Sequence, residues 1–172
     1  QAFANVFTDM GHEVVGLSRR NGNNIRSQHK ILPQILECDM FVNNAQEGFV
    51  QTELLYAVWN EWKSTRKTIW CIGSICSQSQ QSFYLKEYQT QKQALDCAFN
   101  NCRSDPDNRT NLCMIRPGVV ATQEYNTLNE DSCDPNEFAK IVVATWNHSR
   151  KHNIKLESIE LGFRTADKVP HI

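Results

Sequence analysis

No stretch of this chain approaches the ~20 apolar residues needed to cross a bilayer, and its first residues do not resemble a signal peptide. A surplus of charge is missing too. The net charge of -1 gives no field to draw in nucleic acid or anionic lipid. Of the seven cysteines none sits in a Cys-x-x-Cys pair, and the five histidines are not grouped with them. That spacing argues against a zinc site, and the odd count reads as reduced, mostly buried thiols of a cytoplasmic protein. In such a compartment the sequons at Asn108 and Asn147 carry no weight. Internal repeats and low-complexity tracts are absent. An initiator Met is absent as well: the chain opens inside a helix-like stretch and is expected to be a fragment.

What is present is a regular alternation of helix and strand signals over 172 residues, 40% hydrophobic and 22% charged. Ala2, Phe3, Val6, Phe7 and Met10 fall at helical spacing, and Gly11 suits the position just after a helix. His12–Ser18 reads as a short strand ending in Arg19-Arg20 and an Asn21-Gly22 turn. Ile31–Leu36 suggests a short helix and Asp39–Asn43 a buried strand. Gln51–Ser64 is helical, with Leu54, Leu55, Val58, Trp59 and Trp62 on one stripe. Thr68–Gly73 is a buried strand, and a helix containing Tyr88 runs to about Cys102. Leu112–Arg116 is another buried strand, stopped by Pro117-Gly118. Asp134 can cap a helix with Pro135 at its first position, and Lys155–Leu161 is a last strand. Apolar strands separated by amphipathic helices predict one α/β domain over residues 1–172, with a parallel sheet covered on both faces.

The chemistry concentrates in Ser74, Tyr88 and Lys92. Tyr88 and Lys92 form a Tyr-x-x-x-Lys step, which places both side chains on one helix face. An ammonium there favours the ionised phenol and makes Tyr88 an acid/base near neutral pH. Ser74 follows a strand, at the edge where open α/β sheets place their reacting groups.

These residues, in this order, resemble those of the short-chain dehydrogenases/reductases, a Rossmann-fold family. The resemblance spans Gln1 to about Thr122 and, more loosely, reaches Leu161. Ala2–Arg20 is similar to the family's first helix, second strand and following basic residues. Asn43-Asn44-Ala45 is similar to its Asn-Asn-Ala-Gly motif, with Gln46 in place of glycine. Pro117-Gly118-Val119-Val120-Ala121-Thr122 is similar to the Pro-Gly turn and threonine that hold the nicotinamide carboxamide. The family's first strand and Gly-rich turn have no counterpart, and the chain between the second and fourth strands is about half the usual length. Gln51 stands near the family's catalytic asparagine, either as its substitute or as an ordinary polar residue at a helix start.

The resemblance implies a doubly wound Rossmann-like sheet and hydride transfer between a nicotinamide and a small carbonyl or alcohol. Tyr88 would move the proton, Ser74 would hydrogen-bond the reacting oxygen, and Lys92 would hold the ribose. Together with Tyr88 and Lys92, Ser18, Arg19, Arg20, Asn44, Ala45, Pro117, Gly118, Val120 and Thr122 would contact cofactor. With Arg19 and Arg20 and no acid at the strand end, NADP(H) is preferred over NAD(H). Substrate choice would rest on loops holding Gln78, Gln80, Gln81, Phe83, Tyr84, Gln123, Tyr125 and Asn126. A homodimer or homotetramer through helices 51–64 and 85–102 is expected, with Trp59 and Trp62 at the contact or in the core. The alternative in another class is a non-catalytic dinucleotide-binding sensor or scaffold. Sugar-nucleotide epimerases share Tyr-x-x-x-Lys but need a larger C-terminal part than the roughly fifty residues after Thr122.

Overall fold

A computed structural model describes residues 1–78, 86–121 and 132–162. Its centre is a four-stranded parallel sheet in the order β1 (Met40–Asn43), β2 (Thr68–Ile72), β3 (Asn111–Pro117), β4 (Ser158–Leu161). The register pairs Asn43 with Cys71 and Cys71 with Met114, so the first three strands end near one level. Loops carrying Asn44, Ser74 and Pro117 therefore leave the same edge of the sheet.

Alternation within the strands decides what each face holds. From β2, Ile69 and Cys71 join one core with α2 (Gln28–Leu36), α3 (Val50–Trp62) and α4 (Lys86–Ser104). Trp70 and Ile72 point the other way, into a core made with α1 (Ala2–Asp9) and α5 (Pro135–Lys151). There Trp70 meets Phe3 and Trp146 edge-on, with ring centroids 5.8 and 5.3 Å away. Helices thus cover both faces of a single Rossmann-like α/β domain. Among the described residues no helix is long and apolar enough to cross a membrane.

Local chemistry fixes the helix ends. The Asp134 carboxylate accepts from the amides of Asn136 and Glu137 at 2.8 and 3.1 Å, with Pro135 in the first turn. After α1, Gly11 takes φ +84°, and the His12 amide bonds back to the Phe7 carbonyl at 3.0 Å.

One expected element is not there. His12–Ser18 belongs to no ladder, and Val14 and Val15 are exposed. A strand holds its backbone polar groups through neighbours, and among the described residues none lies alongside this segment or along the outer edge of β1. Of these residues Leu17 packs against the core, and the His12 ring meets Phe7 edge-on at 5.7 Å. The paired tryptophans have a settled place: Trp59 and Trp62 are both buried, and the Trp59 indole donates to Asn108 Oδ1 at 3.0 Å. They therefore offer no aromatic surface to a second subunit, and the exposed positions of α4 include Thr90, Gln93 and Asn100.

Candidate active site

Lys92 is the anchor of the site. It lies on the buried side of α4 at 3% exposure, and its Nζ donates to Gln51 Oε1 at 2.9 Å and to the Ile72 carbonyl at 3.0 Å. Burial pulls its pKa down to about 8, against a partial upward pull from Cys76, Cys71 and Asp96. One turn earlier the half-buried Tyr88 ring sits with its centroid 5.6 Å from that nitrogen. An ammonium has three donors, and among the described residues only two of them are taken.

Gln51 ties three elements together. From the first turn of α3 its Nε2 donates to the Asn43 carbonyl at 2.8 Å and the Ile72 carbonyl at 3.1 Å, while its backbone carbonyl accepts from Asn43 Nδ2 at 2.9 Å. One side chain thus links the ends of β1 and β2 to Lys92. Asn43 Oδ1 is buried with no partner among the described residues. The sequence placed Gln51 as a candidate, but not its direct grip on the lysine.

Ser74 caps the short turn Ile75–Ser77, its Oγ accepting from the Cys76 amide at 3.3 Å. Two bonds hold that turn against α4. Gln89, next to Tyr88, donates to the Cys76 carbonyl at 3.0 Å, and Ser77 Oγ donates to Asp96 Oδ2 at 2.6 Å. Asp96 also takes Arg116 Nε on both oxygens at 3.2 Å, and Arg116 reaches Glu160 at 2.9 Å. Space here is tight at Gly73, where a Cβ would lie 2.9 Å from Met114 Sδ. Asp96, Arg116 and Ser77 escaped the sequence reading because only the fold brings them together.

Tyr88 opens onto a cleft of about 570 Å³ between residues 46–48 of the loop after β1 and Lys86, Glu87 and Gln91 of α4. Gln46 Nε2 donates to Gln91 Oε1 across it, and Gln91 Nε2 donates to Glu87 Oε1 at 3.1 Å. Ser74 is buried and does not line this cleft.

The remaining candidates lie around that edge. Asn44 and Ala45 are exposed directly after β1, and Pro117, Gly118 and Val120 are half-buried after β3. The Gly118 amide bonds to the Leu161 carbonyl at 2.7 Å, and Val120 bridges to Cys133. Ser18 precedes a turn at Arg19–Asn21, with Ser18, Arg19 and Arg20 all exposed. Arg19 lies 3.6 Å from the Glu47 carboxylate, which Arg26 holds at 2.6 Å. The Arg26 guanidinium, then Arg19, keeps the Glu47 carboxyl below its usual range. Thr122 and the loop residues Gln80, Gln81, Phe83, Tyr84, Gln123, Tyr125 and Asn126 lie outside the described residues. No group of three or more metal-ligating side chains occurs among the described ones.

By sequence, no family model matches the chain and no curated protein does. By structure, it is similar to an alcohol dehydrogenase from the archaeon Thermococcus sibiricus complexed with 5-hydroxy-NADP, at TM-score 0.68 and 20% identity over 98% of this chain and 81% of that one. A short-chain dehydrogenase from Streptomyces avermitilis matches at TM-score 0.68 and 16% identity, over 96% of this chain and 84% of its own. Serine dehydrogenase from Escherichia coli matches at TM-score 0.66 and 16% identity, over 93% and 90%. The chain has the Rossmann-type fold of the short-chain dehydrogenases/reductases.

Proposed function

We propose that the chain is a nicotinamide-dependent oxidoreductase that interconverts a small carbonyl compound and its alcohol, with NADP(H) preferred and NAD(H) accepted. The observation that carries this reading is the buried Lys92 ammonium one helical turn beyond a tyrosine that lines an open cleft. Burying a cation is costly, and packing alone has no use for one beneath such a phenol.

The donor set fits the nicotinamide-ribose half of a dinucleotide. Lys92 has a third N–H to offer a ribose hydroxyl, and Asn44 and Ala45 border the same edge of the sheet. Pro117, Gly118 and Val120 would line the carboxamide side, with Thr122 beyond them, while Ser18, Arg19 and Arg20 would meet the adenosine end. The nucleotide in the Thermococcus sibiricus enzyme supports a phosphorylated cofactor. Bound there, the nicotinamide would supply or accept the hydride.

The protein's own groups do the rest. Tyr88 gives its phenolic proton to the carbonyl oxygen in reduction and takes it back in oxidation. Lys92, held by Gln51 and the Ile72 carbonyl, favours the ionised phenol through its charge. Ser74, whose oxygen accepts from Cys76, would donate its O–H to the reacting oxygen.

A second reading, dinucleotide binding without turnover, is favoured by the burial of Ser74 away from the cleft lining. Tyr88→Phe separates the two. On a carbonyl panel, turnover should fall by at least a hundredfold while NADPH affinity, followed by fluorescence, stays unchanged. Tight NADPH binding by a wild type that turns over nothing establishes the second reading instead.

A further inference from the structure

The end of α5 carries two histidines that the candidate active site does not use. Because β3 and β4 run parallel, α5 returns the chain across the sheet, and its last turn lies away from the edge that holds Ser74. His148 and His152 are four residues apart there, and the His152 amide bonds to the His148 carbonyl at 3.2 Å. Their ring centroids lie 4.5 Å apart, with the planes tilted by 42°. Just beyond, Asn153 takes φ 55°, and the amides of Asn153 and Ile154 bond back to the Arg150 and Ser149 carbonyls at 3.1 and 2.8 Å. The backbone under the pair is thus closed on itself, and both imidazoles are exposed on one face.

Nothing in the described structure uses these rings. Neither has a hydrogen bond or an ion pair among the described residues. Arg150 lies on the opposite side of the helix, 4.7 Å over the Trp146 ring, which in turn packs on Trp70. Lys151, next in the chain, is exposed. The other described histidines stand apart: His12 packs on Phe7, and His29 lies on α2.

Two histidines four residues apart on one helix face are an arrangement by which helices hold a transition metal. With metal–nitrogen bonds of about 2.0–2.1 Å, two imidazoles on one ion place their ring centres about 4.5–5 Å apart. The pair already has that spacing. Imidazole nitrogen suits nickel, copper and zinc, whereas calcium and magnesium need oxygen ligands. The carbonyls at a helix end add a partial negative charge, which favours a cation there. Two protein ligands are fewer than the four of a structural zinc site, so water completes the shell and the ion exchanges.

We infer that His148 and His152 form an open, exchangeable site for a late first-row divalent cation at the end of α5. The site does not depend on the oxidoreductase reading, because it shares no residue with Tyr88, Lys92 or the cleft beside them.

The probe is Ni²⁺, added to the reduced protein and followed by calorimetry and by the NMR signals of the histidine rings, which the paramagnetic ion broadens. One ion per chain should bind, and His148 and His152 should broaden before His12 and His29. His148→Gln and His152→Gln, both at exposed positions, should each weaken binding roughly tenfold or more, because the second nitrogen binds as an intramolecular event. Cys97→Ser, which removes the exposed thiol of α4, should leave the affinity unchanged. Ca²⁺ should broaden or shift neither ring. Even broadening of all the histidines would mean an adventitious ion only and overturns the inference. So does Ni²⁺ affinity that survives both histidine substitutions, affinity that is lost with Cys97, or Ca²⁺ displacing the nickel at equal concentration.

Discussion

Lys92 and Gln51 meet across the sheet edge, with the ammonium 2.9 Å from the amide oxygen. Two elements far apart in sequence are thereby locked at the point where Tyr88 faces the cleft. Because Gln51 also holds the ends of β1 and β2, its loss would act on the lysine and on the strands together. Gln51→Leu is expected to cost about 1.5–3 kcal/mol of folding stability for the charged bond alone. It should also lower the Lys92 pKa below about 8, because a buried ammonium would lose an acceptor. Urea denaturation measures the first effect and an NMR titration of the lysine side chain the second. An unchanged lysine pKa would show that the Ile72 carbonyl alone sustains the charge.

The depressed Lys92 pKa sets the sign of a pH effect on stability. Between about 8 in the folded chain and 10.5 unfolded, the unfolded state holds one more proton. Stability should therefore rise with pH through this window, by up to about 1.4 kcal/mol per pH unit. Buried thiols oppose it from their ordinary value of 9.0 upward, because burial pushes Cys102 to about 11 and Cys113 to about 12, and Cys71 higher still. The gain is therefore confined to about pH 8–9. Denaturation under reducing conditions across that range should show a positive slope in wild type that Lys92→Met lacks.

How much of this was legible beforehand follows from what each feature needs. β1, β2 and β3 are apolar runs whose character does not depend on their neighbours, so their positions were readable. His12–Ser18 has the composition of a strand, but strand formation is a property of a pair, and no partner is described beside it. Tyr88 and Lys92 share a helix, so their spacing is local and their shared face was predictable. Gln51 was a candidate from its place near the expected asparagine, but its bond to Lys92, like the roles of Asp96 and Arg116, shows only once the fold sets these residues against Lys92 and the Ser74 turn. Gln46 was visible only as a departure from a motif; its contact with Gln91 depends on the loop path after β1.

Asp96 and Arg116 form the main ion pair behind the Ser74 turn, with side chains 14% and 9% exposed. Asp96→Ala strands a buried guanidinium and should cost about 3–5 kcal/mol, near the lower figure because Glu160 still pairs with it. Glu160→Ala, at the half-exposed end of the chain, should cost less than about 1 kcal/mol. Ser77→Ala removes the hydroxyl that binds both Asp96 and the Ser74 carbonyl, and should cost about 1 kcal/mol. Chemical denaturation of the three variants gives the ranking. Equal losses for Asp96→Ala and Glu160→Ala would show that the Arg116 charge is solvated rather than held by Asp96.

Cofactor preference should respond to Glu47, which competes for the arginine expected to meet the 2′-phosphate. A charge-assisted bond from Arg19 or Arg20 is worth about 1.5–3 kcal/mol where partly desolvated, which corresponds to roughly ten- to a hundredfold in favour of NADPH over NADH. Replacing both arginines with Ala should erase that gap and leave NADH affinity nearly unchanged. Glu47→Gln frees Arg19 from its 3.6 Å contact and should widen the preference severalfold. Arg26→Ala removes the nearer partner of Glu47, gives the carboxylate wholly to Arg19, and should narrow it. Fluorescence titration of both nucleotides against the four proteins measures every step. A wild type that binds them equally, or prefers NADH, would leave Arg19 as a surface partner of Glu47 and nothing more.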